Sequence, residues 1–143
     1  MARALVADTG GLLRALAKRP DGKPTWPKFE VALRSASRVV VPALVLAEVD
    51  HFLRDHRPAM HRLLEEIFDP ATAYEYEPPD IHDILRALVF DRKFASLELG
   101  IVDASVAVVA ERRRIYRVLT IDRDDFGPLR VGDRFELELE LVP

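Results

Sequence analysis

Cysteine is absent from this sequence of 143 residues. Its absence excludes disulfide bonds, thiolate metal sites and a cysteine nucleophile. Zinc held by sulfur is excluded with them, and a metal site built from oxygen ligands favours magnesium or manganese. The histidine pair of a zinc protease and the complete glycine pattern of a phosphate-binding loop are also missing.

A strong excess of positive charge is absent as well. The chain carries 21 Lys and Arg residues against 24 Asp and Glu residues, which gives a formal net charge of −3. A nucleic-acid-binding domain is usually strongly basic, although a local basic rim can serve the same purpose. We find neither a signal peptide nor an apolar run long enough to cross a bilayer, and therefore expect a cytoplasmic protein with no membrane partner.

Short apolar runs alternate with amphipathic stretches along the chain. Strands are predicted at residues 4–7, 39–41, 73–76 and 117–121, with a half-exposed strand in the alternating tail at 135–141. Helices are predicted at residues 12–19, 29–33, 43–55, 58–68, 79–89 and 101–114, with a break at Thr9-Gly10-Gly11. This alternation predicts a single α/β domain over residues 1–143, built around a mainly parallel sheet.

Four acidic residues interrupt or end apolar runs, and they are Asp8, Glu48, Asp103 and Asp122. An ionised carboxylate in such surroundings is expensive to desolvate, so a neighbouring group must compensate its charge. Asp8 and Asp122 each follow a predicted strand, and the carboxyl ends of parallel strands are where functional groups gather in open α/β sheets. Asp103 begins its helix, where the dipole favours negative charge.

Carboxylates that are packed together repel one another and cannot all stay ionised without a cation. A divalent metal ion with oxygen ligands resolves that conflict. Such a centre can hydrolyse phosphodiester bonds with an activated water and needs no covalent nucleophile from the protein.

Each acid also has a simpler interpretation. Asp103 would serve as a helix N-cap. Asp8 would belong to a turn and Asp122 to a solvated loop. Glu48 would pair with a basic residue such as Arg54. A shared site is favoured because the alternative requires four independent explanations.

A basic cluster lies at the end of the 101–114 helix and just beyond it, and we expect it near the acidic site: Arg112, Arg113, Arg114 and Arg117. A solvated helix end that complements the helix dipole is one interpretation. Contact with a phosphate group is the other.

Four segments of this chain together resemble the PIN-domain ribonucleases, and most closely the VapC-like toxins of type II toxin–antitoxin systems. They are Asp8-Thr9, Leu46-Ala47-Glu48-Val49, Val102-Asp103-Ala104-Ser105 and Thr120-x-Asp122-x-x-Asp125-Phe126. The resemblance implies a three-layer α/β/α sandwich with a central parallel sheet. It also implies a Mg²⁺- or Mn²⁺-dependent endoribonuclease.

Position by position, the resemblance implies that Asp8, Glu48, Asp103 and Asp122 are the catalytic acids and metal ligands. Asp125 is a further ligand candidate, since the family's fourth acid occupies either place in this loop. We also expect RNA contacts at the arginines of two segments: Arg112, Arg113 and Arg123.

The resemblance further implies an RNA substrate, a homodimer and a cognate antitoxin protein as partners. The alternative is a catalytically silent PIN-like module that binds RNA or a protein. The loop at residues 18–27 receives no role from the resemblance.

Overall fold

A five-stranded parallel sheet forms the centre of the fold in the computed structural model, which describes residues 2–143. The strands are β1 (Leu5–Ala7), β2 (Val39–Pro42), β3 (Tyr74–Glu77), β4 (Arg117–Leu119), β5 (Arg130–Val131), β6 (Leu137–Glu138) and β7 (Glu140–Val142). The sheet has the order β3–β2–β1–β4–β7, and every neighbouring pair is parallel. β5 and β6 form a separate antiparallel ribbon.

Helices flank this sheet and connect its strands. They are α1 (Thr9–Leu16), α2 (Pro27–Arg34), α3 (Ala43–Phe52), α4 (Arg57–Ile67), α5 (Ile81–Lys93), α6 (Gly100–Arg113) and α7 (Arg123–Phe126), with a 3₁₀ turn at Ala95–Leu97. The predicted three-layer α/β/α class is therefore confirmed.

The sheet is buried at its middle strand, where Leu5, Val6 and Ala7 have no exposed surface. Parallel strands covered on both faces are expected to be continuous apolar runs, as these are. In the register, Ala7 of β1 lies opposite Leu119 of β4. The residues that follow these two strands therefore emerge next to each other at one edge of the sheet.

Helix α6 places Asp103, which is half-buried, next to the buried part of the helix. Seven consecutive residues of this helix, 104–110, are buried, and α6 packs against α5, α3, β1 and β2.

Helix α6 has only 14 residues, whereas a membrane span needs about 20 apolar ones. No helix within residues 2–143 is long and apolar enough to span a membrane.

The expected break at Thr9-Gly10-Gly11 is wrong, because α1 begins at Thr9. The reason is close packing between α1 and β4. A Cβ atom on Gly11 would lie 2.2 Å from the carbonyl oxygen of Leu119, which is backbone and cannot move aside. Glycine is needed here for the close approach of two backbones and not for a turn.

The tail is divided between two sheets. β6 pairs with β5, and β7 is an edge strand of the main sheet. The predicted alternation is present, since the odd-numbered residues from Phe135 to Leu141 are half-buried and Glu136, Glu138 and Glu140 are exposed. The single strand predicted over residues 135–141 is therefore wrong, because periodicity does not specify which partner each half pairs with.

Gly11→Ala should lower the free energy of unfolding by about 2 kcal/mol, because the added methyl group overpacks the contact with Leu119. This loss should occur although alanine favours a helix more than glycine does. Gly10→Ala is the matched control, since its Cβ would meet only the side chain of Ile121, which is 47% exposed and can rotate. Equal urea-unfolding midpoints for the two variants would contradict the packing role of Gly11.

Candidate metal centre

The carboxyl ends of β1 and β4 place two acids side by side. The buried Thr120 hydroxyl donates a hydrogen bond to Asp8 Oδ2 at 2.8 Å. It also accepts a hydrogen bond from the backbone N–H of Asp122 at 2.9 Å. A single hydroxyl group therefore holds the carboxylate of Asp8 and the backbone of Asp122 in fixed relation.

Asp103 joins these residues from the first turn of α6. It is not the helix N-cap, because that position belongs to Leu99. Carboxylate oxygens of Asp103, Asp122 and Asp125 lie within 4.8 Å of one another, so the three acids could hold a metal ion. Burial, followed by repulsion from neighbouring carboxylates, raises the pKa of Asp103 to about 8. Without a cation, this carboxyl group keeps its proton at neutral pH.

Glu48 projects from α3 into the same region. It lines a cleft of about 390 Å³ together with Asp8, Asp103 and Asp122. Burial raises the pKa of Asp8, the hydrogen bond from Thr120 opposes this rise, and the negative charges of Glu48 and Asp122 add to it. The structure thus brings all four predicted acids to one cleft, with Asp125 beside them.

None of these five acids forms an ion pair with a lysine or arginine within residues 2–143. The alternative pairing of Glu48 with Arg54 is wrong, since Arg54 instead donates to the carbonyl oxygen of His51 at 2.9 Å. Asp122 does cap α7 by accepting from the backbone N–H of Asp125 at 3.2 Å. The acids of the cleft are therefore not paired directly with any lysine or arginine among residues 2–143.

The expectation that the basic cluster lies beside these acids is wrong. Arg112 is nine residues beyond Asp103 on the same helix, a distance of about 14 Å along its axis. Arg112 pairs with Asp83 and Glu77, each at 2.9 Å. The neighbouring predicted RNA contacts have partners too: Arg113 pairs with Glu75 and Glu77, and Arg123 donates to the carbonyl oxygen of Pro143.

Sequence reasoning missed one basic residue of the cleft, Arg14. Because α1 begins at Thr9, the residues Gly10, Leu13 and Arg14 follow the i, i+3, i+4 spacing of one helix face, and all three line the cleft. The misplaced start of α1 concealed this face. A helix predicted to begin directly after Asp8 would have placed Arg14 on the face of α1 next to this acid.

Comparison with known proteins assigns the chain to a family. The model of the PIN domain matches residues 5–129. Ribonuclease VapC26 of Mycobacterium tuberculosis is 32% identical over 136 residues, which cover 92% of this chain and 97% of that protein. The chain therefore belongs to the PIN-domain family, and its resemblance to the VapC-like toxins is confirmed.

A solved structure supports the fold assignment. The crystal structure of VapC20 of Mycobacterium tuberculosis, a toxin that cleaves the sarcin–ricin loop, matches with a TM-score of 0.69. The match covers 86% of this chain and 93% of that chain at 17% sequence identity. At this identity the likeness speaks for the fold alone.

Asp103→Asn should stabilise the metal-free protein by about 1–2 kcal/mol at pH 8, after allowance for solvent screening. The unfolded carboxyl group loses its proton near pH 3.8, whereas the folded one keeps it up to about pH 8. Stability of the wild type therefore falls as the pH rises through this interval, and the neutral amide removes that fall. Urea unfolding in the presence of a chelator measures this pH dependence of stability.

Asp124→Asn is the matched control for this measurement, because Asp124 is exposed on α7, next to Asp125, and does not line the cleft. We expect its pH profile to follow the wild type. If Asp103→Asn destabilised the metal-free protein at pH 8, the proposed repulsion among these acids would be wrong.

Proposed function

We propose that this protein is a metal-dependent endoribonuclease, the toxin of a type II toxin–antitoxin pair. The observation that carries the proposal is the convergence of five acids at one cleft without a lysine or arginine partner in residues 2–143. A protein that keeps such repulsion in its folded state gains most from a bound cation. The names of its relatives, a ribonuclease and a toxin that cleaves a ribosomal RNA loop, support RNA as the substrate class.

The residues present fit Mg²⁺ or Mn²⁺. Carboxylate oxygens are the ligands that these hard ions prefer, and the cleft offers them from four separate elements of the fold. The hydroxyl of Thr9 is buried and has no hydrogen-bond partner within residues 2–143. Buried hydroxyl groups normally have a partner, and a water molecule bound to the ion would be a suitable one for Thr9.

In this proposal Asp8, Glu48, Asp103 and Asp122 hold the ion, and Asp125 acts either as a ligand or as the partner that orients Asp103. When bound, the ion would act as a Lewis acid that activates water and stabilises the charge developing on the phosphate group. Thr120 holds the Asp8 carboxylate in its orientation through the 2.8 Å hydrogen bond. The apolar side chains that line the cleft are Leu13, Phe52 and Ile121.

The partners follow from the same proposal. The substrate is RNA, the inhibitor is a cognate antitoxin protein, and the active form is a homodimer. Its action takes place in the cytoplasm. RNA contacts at Arg112, Arg113 and Arg123 remain part of the proposal, but each would require these arginines to exchange an existing protein contact for a phosphate group.

Asp8→Asn and Asp103→Asn should each reduce RNA cleavage by about 100-fold or more, because each removes a charged ligand from the metal centre. The assay follows cleavage of total cellular RNA and of labelled oligonucleotides by the purified protein with Mg²⁺ or Mn²⁺. Chelation of the metal should abolish activity, and its return should restore it. Asp124→Asn should cleave at the wild-type rate.

Cleavage that survives both substitutions would overturn the catalytic assignment. A wild type that binds Mn²⁺ and RNA without cleaving would favour the silent binding module instead. The toxin assignment is tested with the same variants, since induced expression of the wild type should arrest growth and Asp103→Asn should relieve the arrest.

Thr120→Val should lower cleavage by about 10- to 100-fold by releasing the Asp8 carboxylate, whereas Thr120→Ser should retain most of the activity. The metal concentration needed for half-maximal activity should rise for Thr120→Val, which a purely structural effect would not cause. Valine also leaves the N–H of Asp122 without its partner and should cost about 1–3 kcal/mol of stability. An unchanged metal requirement in a folded Thr120→Val variant would contradict the positioning role.

A further inference from the structure

Arg14 stands at the cleft without a carboxylate partner. Of the residues that line the cleft within 2–143, it is the one basic side chain. It forms no ion pair and no side-chain hydrogen bond among those residues, although Asp8, Glu48 and Asp103 line the same cleft. By contrast, Arg86 is bound by Glu111 at 2.9 Å. The charge of Arg14 is therefore available to a ligand.

An aromatic platform holds Arg14 in place. Its guanidinium carbon lies 4.1 Å from the ring centroid of Trp26 and 5.5 Å from that of Phe29. The two rings pack edge to face with centroids 6.5 Å apart. Stacking uses the face of the guanidinium group and leaves the N–H donors along its edge free, which suits a phosphate group.

Trp26 is presented by an ordered segment, the loop at residues 18–27. The N–H of Thr25 donates to the carbonyl oxygen of Ala17 at 3.0 Å, and the N–H of Arg19 donates to the carbonyl oxygen of Lys23 at 2.8 Å. Gly22 closes the hairpin with a φ of 84°, a conformation that favours glycine. The loop thus fixes the position of the tryptophan, which is 41% exposed.

Three lysines lie close to Trp26 in the sequence. Lys18, Lys23 and Lys28 lie on or next to this loop and form no ion pair within residues 2–143. An anionic polymer that enters the acidic cleft meets repulsion from its carboxylates, and the positive charge of Arg14 offsets part of that repulsion. An exposed aromatic ring beside free cations is the combination that binds single-stranded nucleic acid.

We propose that Arg14 and Trp26 form a subsite for single-stranded RNA next to the cleavage centre. Arg14 binds a backbone phosphate group, and Trp26 stacks on an unpaired base of the same strand. Single-stranded RNA fits because bases in a duplex are not free to stack on a side chain. The proposal rests on the proposed ribonuclease function and gives the 18–27 loop a role in substrate binding.

Tryptophan fluorescence provides a direct test, because Trp26 is the only tryptophan of the sequence. Asp103→Asn serves as the background, so that labelled single-stranded RNA is bound but not cleaved in the presence of Mg²⁺. The fluorescence should be quenched with the same dissociation constant as the anisotropy of the labelled RNA. A fluorescence signal that stays constant while the anisotropy rises to saturation would overturn the stacking of a base on Trp26.

Arg14→Gln in this background should raise the dissociation constant about tenfold. The slope of log Kd against log salt concentration should fall by about 0.7, the value for one lost contact with a single-stranded phosphate. Arg34→Gln is the matched control, since Arg34 lies on α2, is 68% exposed and pairs with Glu30 away from the cleft. Its dissociation constant and salt slope should equal those of the background.

In the active protein, Arg14→Gln should raise KM for RNA about tenfold and change kcat less than about twofold. If Arg14→Gln does not fold, Trp26→Leu decides, with an expected loss of about tenfold in affinity. Variants that bind and cleave like Arg34→Gln would overturn the subsite and leave the ribonuclease intact. A wild type that neither binds nor cleaves RNA would overturn both proposals.

Discussion

Repulsion among carboxylates at the end of β1 and β4 is the constraint on which the rest of this structure depends. Five acids converge at one cleft, where burial and then repulsion from neighbouring carboxylates raise the pKa of Asp103 to about 8. The scaffold tolerates this because β1 is fully buried and Val118 and Leu119 of β4 have no exposed surface. The hydroxyl of Thr120 adds a fixed connection between the two strand ends. Stability from the core thus holds together a site that would otherwise separate.

The two ends of α6 carry charges of opposite sign, and among residues 2–143 only the charges at the C-terminal end are paired with other residues. Asp103 lies in the first turn, where the helix dipole favours an anion, and Arg112 and Arg113 lie in the last turn, where it favours cations. The arginines are bound by acids from β3 and α5, which ties α6 to its neighbours. Asp103 has no such partner. Ion pairs therefore stabilise one end of the helix, and the other end is left for a ligand.

The sequence was sufficient to predict the class of fold and the convergence of the acids, because buried parallel strands are continuous apolar runs. Asp8 directly follows β1, and Asp122 comes three residues after the end of β4, at the same edge of the sheet. The sequence was not sufficient where packing between distant residues determines the conformation or the partner of a residue. Gly11 was predicted to break the chain before α1, but it lies within α1 and packs against the carbonyl oxygen of Leu119. The acid partners of Arg112 lie 29 and 35 residues away, and no local pattern shows them.

The free guanidinium group of Arg14 is explained by the same repulsion that defines the site. An arginine paired with the carboxylates on the floor of the cleft would neutralise them and occupy the place of a cation. Stacking on Trp26 instead holds this charge beside the ring, so the acids keep their affinity for an ion. A substrate phosphate group then has two separate positive charges to bind, one on the proposed ion and one on Arg14. In the proposed function, this separation would allow one cleft to attract a metal cation and an anionic polymer together.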